Sequence, residues 1–284
     1  MATMKAIKKR ISSVNNTKKI MKAMDLVSAS KLQRAKARLD DVRPLFENIK
    51  LVMDGIKASV NAEEETAFTG EREVRSIAYI VITSDRGLCG GYNTNVAKEA
   101  LGLINTNTDK QEKIITVGSK GTDYFRRRGK NVVVKYPGAS DVTTFENAEL
   151  IGNQIASMYT SGEIDEAYLI YTHFETLLSH VPHVEKLLPI RAEVNAGGAP
   201  TMTYDPDIST FISYAVPMYL NITVYGAMME SVVCEQASRM TSMDAATRNA
   251  AEIIDDLTLD YNRKRQGLIT QEITEIVSGA NALN

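Results

Sequence analysis

From Asp207 to Ser278 the sequence runs for 72 residues in a helical pattern interrupted by a single proline, Pro217. At 1.5 Å per residue such a helix spans roughly 110 Å. No globular domain of this size needs a rod of that length inside it. Counting in steps of four and three from Met229 gives Val233, Gln236, Met240, Met243, Thr247, Ala250, Ile254, Leu257, Tyr261, Lys264 and Leu268. That is a sustained seam, polar in places, and a seam calls for a partner helix. Pro217 falls in the first turn of the longest stretch or kinks it.

The other chain end supplies the partner. Residues 3–58 read as one long helix with Ile7, Ile11, Val14, Met21, Leu32, Ala35 and Leu39 at heptad spacing. Lys18, Asp25 and Ser28 fall in the same seam. Pro44 is its one breaker, and Gly55 weakens its far end. Residues 1–57 carry fourteen Lys and Arg against five Asp and Glu, whereas residues 205–284 carry five against eleven. The ends therefore attract one another. The expected fold is of the α/β class. A long antiparallel coiled coil of N- and C-terminal helices (1–58 and 207–284, one discontinuous domain) joins a central Rossmann-like α/β domain (74–195) with a mostly parallel sheet. Small residues at Ala237, Ala245, Ala246, Ala250 and Ala251 keep the C-terminal helix slim. The seam is weakly apolar by coiled-coil standards, so it avoids the strong specific contacts that would lock one orientation.

The middle of the chain changes period. Strands at Ile77–Thr83, Lys113–Val117, Val132–Tyr136 and Ala167–Tyr171 alternate with helices at Asn93–Ile104, Thr122–Arg128 and Phe145–Tyr159. This alternation predicts parallel strands covered by helices. A hairpin-like region spans Val184–Ile190. Asn61–Arg75 reads as a linker, and Asn195–Pro206 as a loop.

Composition excludes several classes. Apolar residues make up 44% of the chain, which rules out global disorder. There is no apolar run long enough to span a bilayer. The basic N-terminus has no small-residue cleavage site and reads as mature structure, not as a signal peptide. Cys89 and Cys234 lie far apart, with neither metal spacing nor a disulfide framework, which fits a reducing compartment. Twelve methionines suit packing surfaces that adapt.

Three stretches resemble the gamma subunit of bacterial F-type ATP synthases. They are ISSVNNTKKIMKAMDLVSAS (Ile11–Ser30), ITSDRGLCGGYN (Ile82–Asn93) and the C-terminal stretch Tyr225–Leu283, with RMTSMDAATRNA and LTLDYNRKRQGLITQEITEIVSGA. The resemblance covers essentially the whole chain in order. It implies a non-catalytic central-stalk rotor that couples proton flow through the c ring to ATP synthesis or hydrolysis at the beta subunits. The implied partners are three alpha and three beta subunits, the epsilon subunit and the c ring. The implied location is the cytoplasmic face of the cell membrane, as a peripheral protein touching the membrane only through the c ring. No cofactor and no metal are implied. By position, Lys22 and Met24 match the part of the N-terminal helix that faces beta. Arg263, Arg265 and Gln266 match C-terminal positions that hydrogen-bond the beta subunits, where fixed cations beside carboxylates make strong, reversible contacts. Tyr204 falls where the family meets the c ring and epsilon. Met228, Met229, Cys234, Gln236 and Gly267 depart from the family's usual residues. The chloroplast-type insertion with a regulatory cysteine pair is missing, so thiol control is not expected.

Rival chemistries find little support in the residues. Asp85–Gly91 (DRGLCGG) lies between strand and helix, where phosphate often binds, but lacks the GxGxxG order and the Walker lysine. Glycines for a tight turn are the plainer need. A nucleotide-binding enzyme would use that loop. His173, His180 and His183 lack supporting carboxylate or cysteine spacing for a metal. Cys89 lacks a partner base for nucleophilic work. The basic N-terminal helix, if it served as a scaffold or nucleic-acid binder, lacks interleaved aromatics: Phe46 is the only one in residues 1–57.

Overall fold

The computed structural model describes residues 3–59, 68, 72–138, 143–176, 179–190 and 208–282. The loop Asn195–Pro206 and most of the linker Asn61–Arg75 lie outside them. Five helices and five strands are described: α1 (Met4–Ser59), β1 (Ser76–Ile82), α2 (Tyr92–Thr106), β2 (Gln111–Val117), α3 (Ser119–Arg126), β3 (Val132–Tyr136), α4 (Phe145–Thr160), β4 (Glu166–Phe174), β5 (His180–Leu188) and α5 (Ile208–Ala282). The chain divides into two compact units, residues 1–29 with 239–284, and residues 30–238.

The first unit gathers both chain ends. Its seam follows the heptad steps of the sequence. On α1, Ile7, Asp25 and Ser28 are buried, and Ile11, Val14, Lys18 and Met21 are half-buried. On α5, Met243 and Ala250 are buried, while Thr247, Ile254, Leu257, Tyr261 and Lys264 are half-buried. Residues between these steps, such as Glu252 and Ile253, face water. Helical spacing puts every third or fourth side chain on one stripe, so one seam is buried and the rest is solvated.

The second unit is built on the sheet, with strand order β3-β2-β1-β4-β5. The first four strands are parallel and β5 pairs antiparallel with β4. The central strand β1 is buried along its whole length, which explains its unbroken apolar run Ile77–Ile82. Ile77, Tyr79 and Val81 pack with Val96, Ala100 and Ile104 of α2 and Phe125 of α3. β5 begins at His180, four residues before the expected start at Val184. It is an edge strand with alternating exposure, so its sequence (HVPHVEKLL) carries histidines and a proline that a central strand would not tolerate. Within this unit α1 and α5 continue side by side. The Phe46 ring lies against Gly226, and Asp54 acts electrostatically on Tyr219, an antiparallel order. Leu32, Ala35, Leu39, Ile49, Met53 and Ile56 extend the α1 seam and are buried.

The turn from β2 into α3 requires a glycine. Gly118 has φ of 96°, and a Cβ there would sit 2.3 Å from the Thr83 carbonyl oxygen. Gly118→Ala is therefore expected to destabilise the fold by about 3 kcal/mol, read as a lower urea midpoint with an unchanged slope.

Candidate functional site

The loop after β1 is the place where an α/β sheet of this order would hold a phosphate. The polar side chains around it are bonded within the chain itself. Asp85 accepts hydrogen bonds from the Ser119 backbone N–H at 2.8 Å and from the Gly138 N–H at 2.8 Å. Thr83 Oγ1 accepts from the Gly121 N–H at 2.9 Å and donates to the Val117 carbonyl at 2.9 Å. Asn93 Oδ1 accepts from the Ser84 N–H at 2.8 Å. The N-terminus of α3 is thus capped by a carboxylate and a hydroxyl from the neighbouring loop, where an anion would otherwise sit. The turn passes through two positive-φ residues, Leu88 at 62° and Gly90 at 54°. Cys89 is buried, and the Asn93 amide nitrogen lies 3.2 Å from its sulfur. This arrangement stitches three loops together and presents no nucleotide cradle.

The His173 and His183 rings lie 6.1 Å apart, and each histidine has a further partner. His173 Nδ1 lies 2.6 Å from the buried Glu230 carboxylate, His180 Nδ1 lies 3.3 Å from Ser238 Oγ, and His183 meets Tyr171 edge-on. Among the described residues no group of three or more ligating side chains could hold a metal ion. Burial drives the Cys234 thiol far above its ordinary range, so it is an inert packing group.

The surface with functional potential belongs to the first unit. Four of the five residues implied to face the alpha–beta ring are exposed on it, Lys22, Arg263, Arg265 and Gln266, and Met24 is half-buried. Lys22 Nζ is 2.7 Å from Asp25 Oδ2, with 54% of the lysine side chain exposed against 11% of the aspartate. The buried carboxylate anchors the ammonium at the surface. The hydrogen bond that Lys22 donates to Asp25, the charge of Asp25, and the more distant charge of Asp244 raise the Lys22 pKa. Around it Ile20, Leu26 and Val27 are exposed although apolar.

The same condition is more pronounced at the far end of α5. Every side chain described from Arg265 to Gly279 is exposed, including Leu268, Ile269, Ile273, Ile276 and Val277. The cause is length. Lys22 and Asp244 face each other across the pair, so antiparallel counting places Met4, the start of α1, at about position 262 of α5. Past Lys264, no side chain described on α5 up to Gly279 is covered. Ile269, Ile273 and Ile276 recur at i, i+4 and i+7, the signature of a stripe meant for burial. Sequence reasoning followed the seam to Leu268 and missed this continuation. The signal was there, in an apolar period that outlasts the partner helix. Tyr204 lies outside the described residues.

Comparison with known proteins agrees with this geometry. A model of the family described as ATP synthase matches residues 3–283. The protein of Alkaliphilus metalliredigens called "ATP synthase gamma chain" is 42% identical over 99% of this chain and 98% of its own length. The chain belongs to the ATP synthase gamma-chain family. A relative in Acetobacterium woodii named "ATP synthase gamma chain, sodium ion specific" is 41% identical over 98% of each chain. Among solved structures, the central stalk and c ring of Tetrahymena thermophila mitochondrial ATP synthase has a chain that is 26% identical with a TM-score of 0.60, covering 80% of this chain and 99% of that one. A chain in the rotor of Euglena gracilis mitochondrial ATP synthase shares the fold at 16% identity, with a TM-score of 0.70 over 94% of this chain and 98% of that one. As a member of this family the chain is a non-catalytic central-stalk subunit of a membrane-associated complex. Among the described residues no helix is long and apolar enough to cross a membrane.

Removing the anchor should be visible at the lysine. Asp25→Asn is expected to bring the Lys22 pKa down towards the ordinary lysine value of about 10.4, measured by NMR pH titration of the labelled ammonium. An unchanged Lys22 titration would show that Asp25 does not hold it.

Proposed function

We propose that this chain is the rotor shaft of an F-type ATP synthase. In that role its paired ends, residues 1–58 and 207–284, act as one discontinuous domain turning within a ring of three alpha and three beta subunits. The central α/β domain, residues 74–195, would stand beside epsilon and on the c ring. Ion flow through the c ring, protons in our reading, drives the rotation. The site is the cytoplasmic face of the cell membrane, where the chain is peripheral and reaches the bilayer only through the c ring. A shaft can shift nucleotide affinity at the beta subunits only through contacts that differ among their conformations. It therefore needs side chains that reach outwards from a helix its own chain does not cover.

The single observation that carries this reading is the uncovered end of α5, with isoleucines facing water beside Arg263, Arg265 and Gln266. A helical end of this length is marginal in water by itself, so it calls for a sleeve from other chains. Lys22 and Met24 are proposed to face beta, and Arg263, Arg265 and Gln266 to hydrogen-bond it. Tyr204 is proposed to meet the c ring and epsilon.

The test is assembly with purified alpha and beta subunits. Hydrogen exchange of residues 265–279 should be fast in the isolated full-length chain and slow by at least about a hundredfold in the complex, the mark of a segment ordered on binding. Equal exchange rates in both would remove the sleeve from the proposal. In the reconstituted enzyme, Arg265→Ala or Gln266→Ala should each lower coupled ATP synthesis roughly tenfold, as loss of about 1.4 kcal/mol of partner contact would. The circular dichroism and urea midpoint of the isolated variant chain should stay unchanged, because both side chains are exposed. Wild-type synthesis and hydrolysis rates in both variants would discharge these two residues from the interface.

A further inference from the structure

A cavity of about 230 Å³ opens within the sheet-bearing unit, where four elements converge. It is lined by Tyr92 and Asn95 from α2, Thr172 from β4, His180 and Pro182 from β5, and Ser238 from α5. Every polar group on this lining is neutral, and no charged side chain contributes to it. Two of the lining residues hold a buried polar atom with no hydrogen-bond partner, the Thr172 hydroxyl and Nε2 of His180. Thr172 is only 3% exposed. A buried hydroxyl left unsatisfied costs about 1–3 kcal/mol, so such a group beside a cavity points to an occupant that answers it. Nδ1 of His180 is already engaged, 3.3 Å from Ser238 Oγ.

The chemistry of the lining selects the ligand class. Hydroxyl and amide groups both donate and accept, and a neutral imidazole nitrogen does one or the other according to tautomer. A hydroxyl on the ligand satisfies either case. The Tyr92 ring and Pro182 supply apolar walls for a short carbon skeleton. The volume is below the roughly 300–1,000 Å³ of pockets that take drug-sized ligands, so the occupant is small. Burial lowers the His180 pKa and keeps that ring neutral. Burial first, and then the charge of Glu235, raise the Tyr92 hydroxyl well above its usual value, so it stays neutral. We propose that this cavity is a binding site for a small uncharged polyhydroxyl molecule of three to five carbons, held by Thr172, His180 and Asn95. Such an occupant ties α2, β4, β5 and α5 together within one unit. This site stands independently of the rotor role.

The experiment uses the full-length chain with labelled histidine rings and erythritol as the probe. The Nε2 resonance of His180 should shift saturably with erythritol, while the His173 and His183 rings stay in place. Sulfate at the same concentration and dissolved xenon should leave His180 unmoved. Thr172→Val, which keeps the shape and removes the hydroxyl, should weaken binding roughly fivefold, the worth of one neutral hydrogen bond. Asn95→Ala should do the same, and because Asn95 is exposed this variant remains readable if the buried one fails to fold. A shift that does not saturate means that water alone fills the cavity and overturns the proposal. So does either folded variant titrating like the parent, or sulfate or xenon moving His180 as erythritol does.

Discussion

The structure depends on the contact between the first and last helices of the chain. Each is far too long to be stabilised by propensity alone, and each carries a stripe narrow enough for one neighbour. The stripe on α1 is nearly unbroken in its four-and-three stepping, from Ile7 through Ser28 in one unit and from Leu32 to Ile56 in the other. Its composition changes along the way. Beside the sheet it is Leu, Ile and Met, fully buried. Towards the chain end it includes Lys18, Asp25 and Ser28, and half-buried residues replace buried ones. Polar groups in a helical seam give up stability for defined register. Here they leave a contact that is specific without being strongly adhesive.

Most of this architecture was legible in the sequence because its determinants are local and periodic. The α5 seam counted from Met229 matches the buried and half-buried positions through Lys264, and it fails at Leu268 where the partner ends. The parallel strands were found from their apolar runs. β5 was placed late because an edge strand needs no continuous apolar signal, and Pro182 and two histidines mask its start. β4 likewise runs on through Thr172, His173 and Phe174, beyond the apolar stretch that marked it.

The candidate sites show the complementary limit. That DRGLCGG is a structural knot and not a phosphate cradle depends on Asp85 meeting Ser119 and Gly138, and on Thr83 meeting Gly121. These pairs are separated by 34 to 53 residues, so no local pattern reveals them. The histidines, which lack metal spacing in the sequence, find Glu230, Ser238 and Tyr171 as neighbours that only the fold supplies. For Lys22 and Arg265 the reverse holds. Their exposure follows directly from lying off the seam, so helical spacing alone places them at the surface. In the proposed role their partners belong to other chains, which one sequence does not contain.

The overhang of α5 past the start of α1 also bears on the life of the chain before assembly. In the proposed role a newly made copy carries a stretch of exposed, isoleucine-bearing helix that awaits its sleeve, and uncovered helix ends of this kind fray and are open to proteases and chaperones. Orphan copies would thereby be marked for removal by the same feature that is proposed to fit them for their place. Surplus shafts would be culled without any dedicated degradation signal, and supply would follow the number of sleeves available.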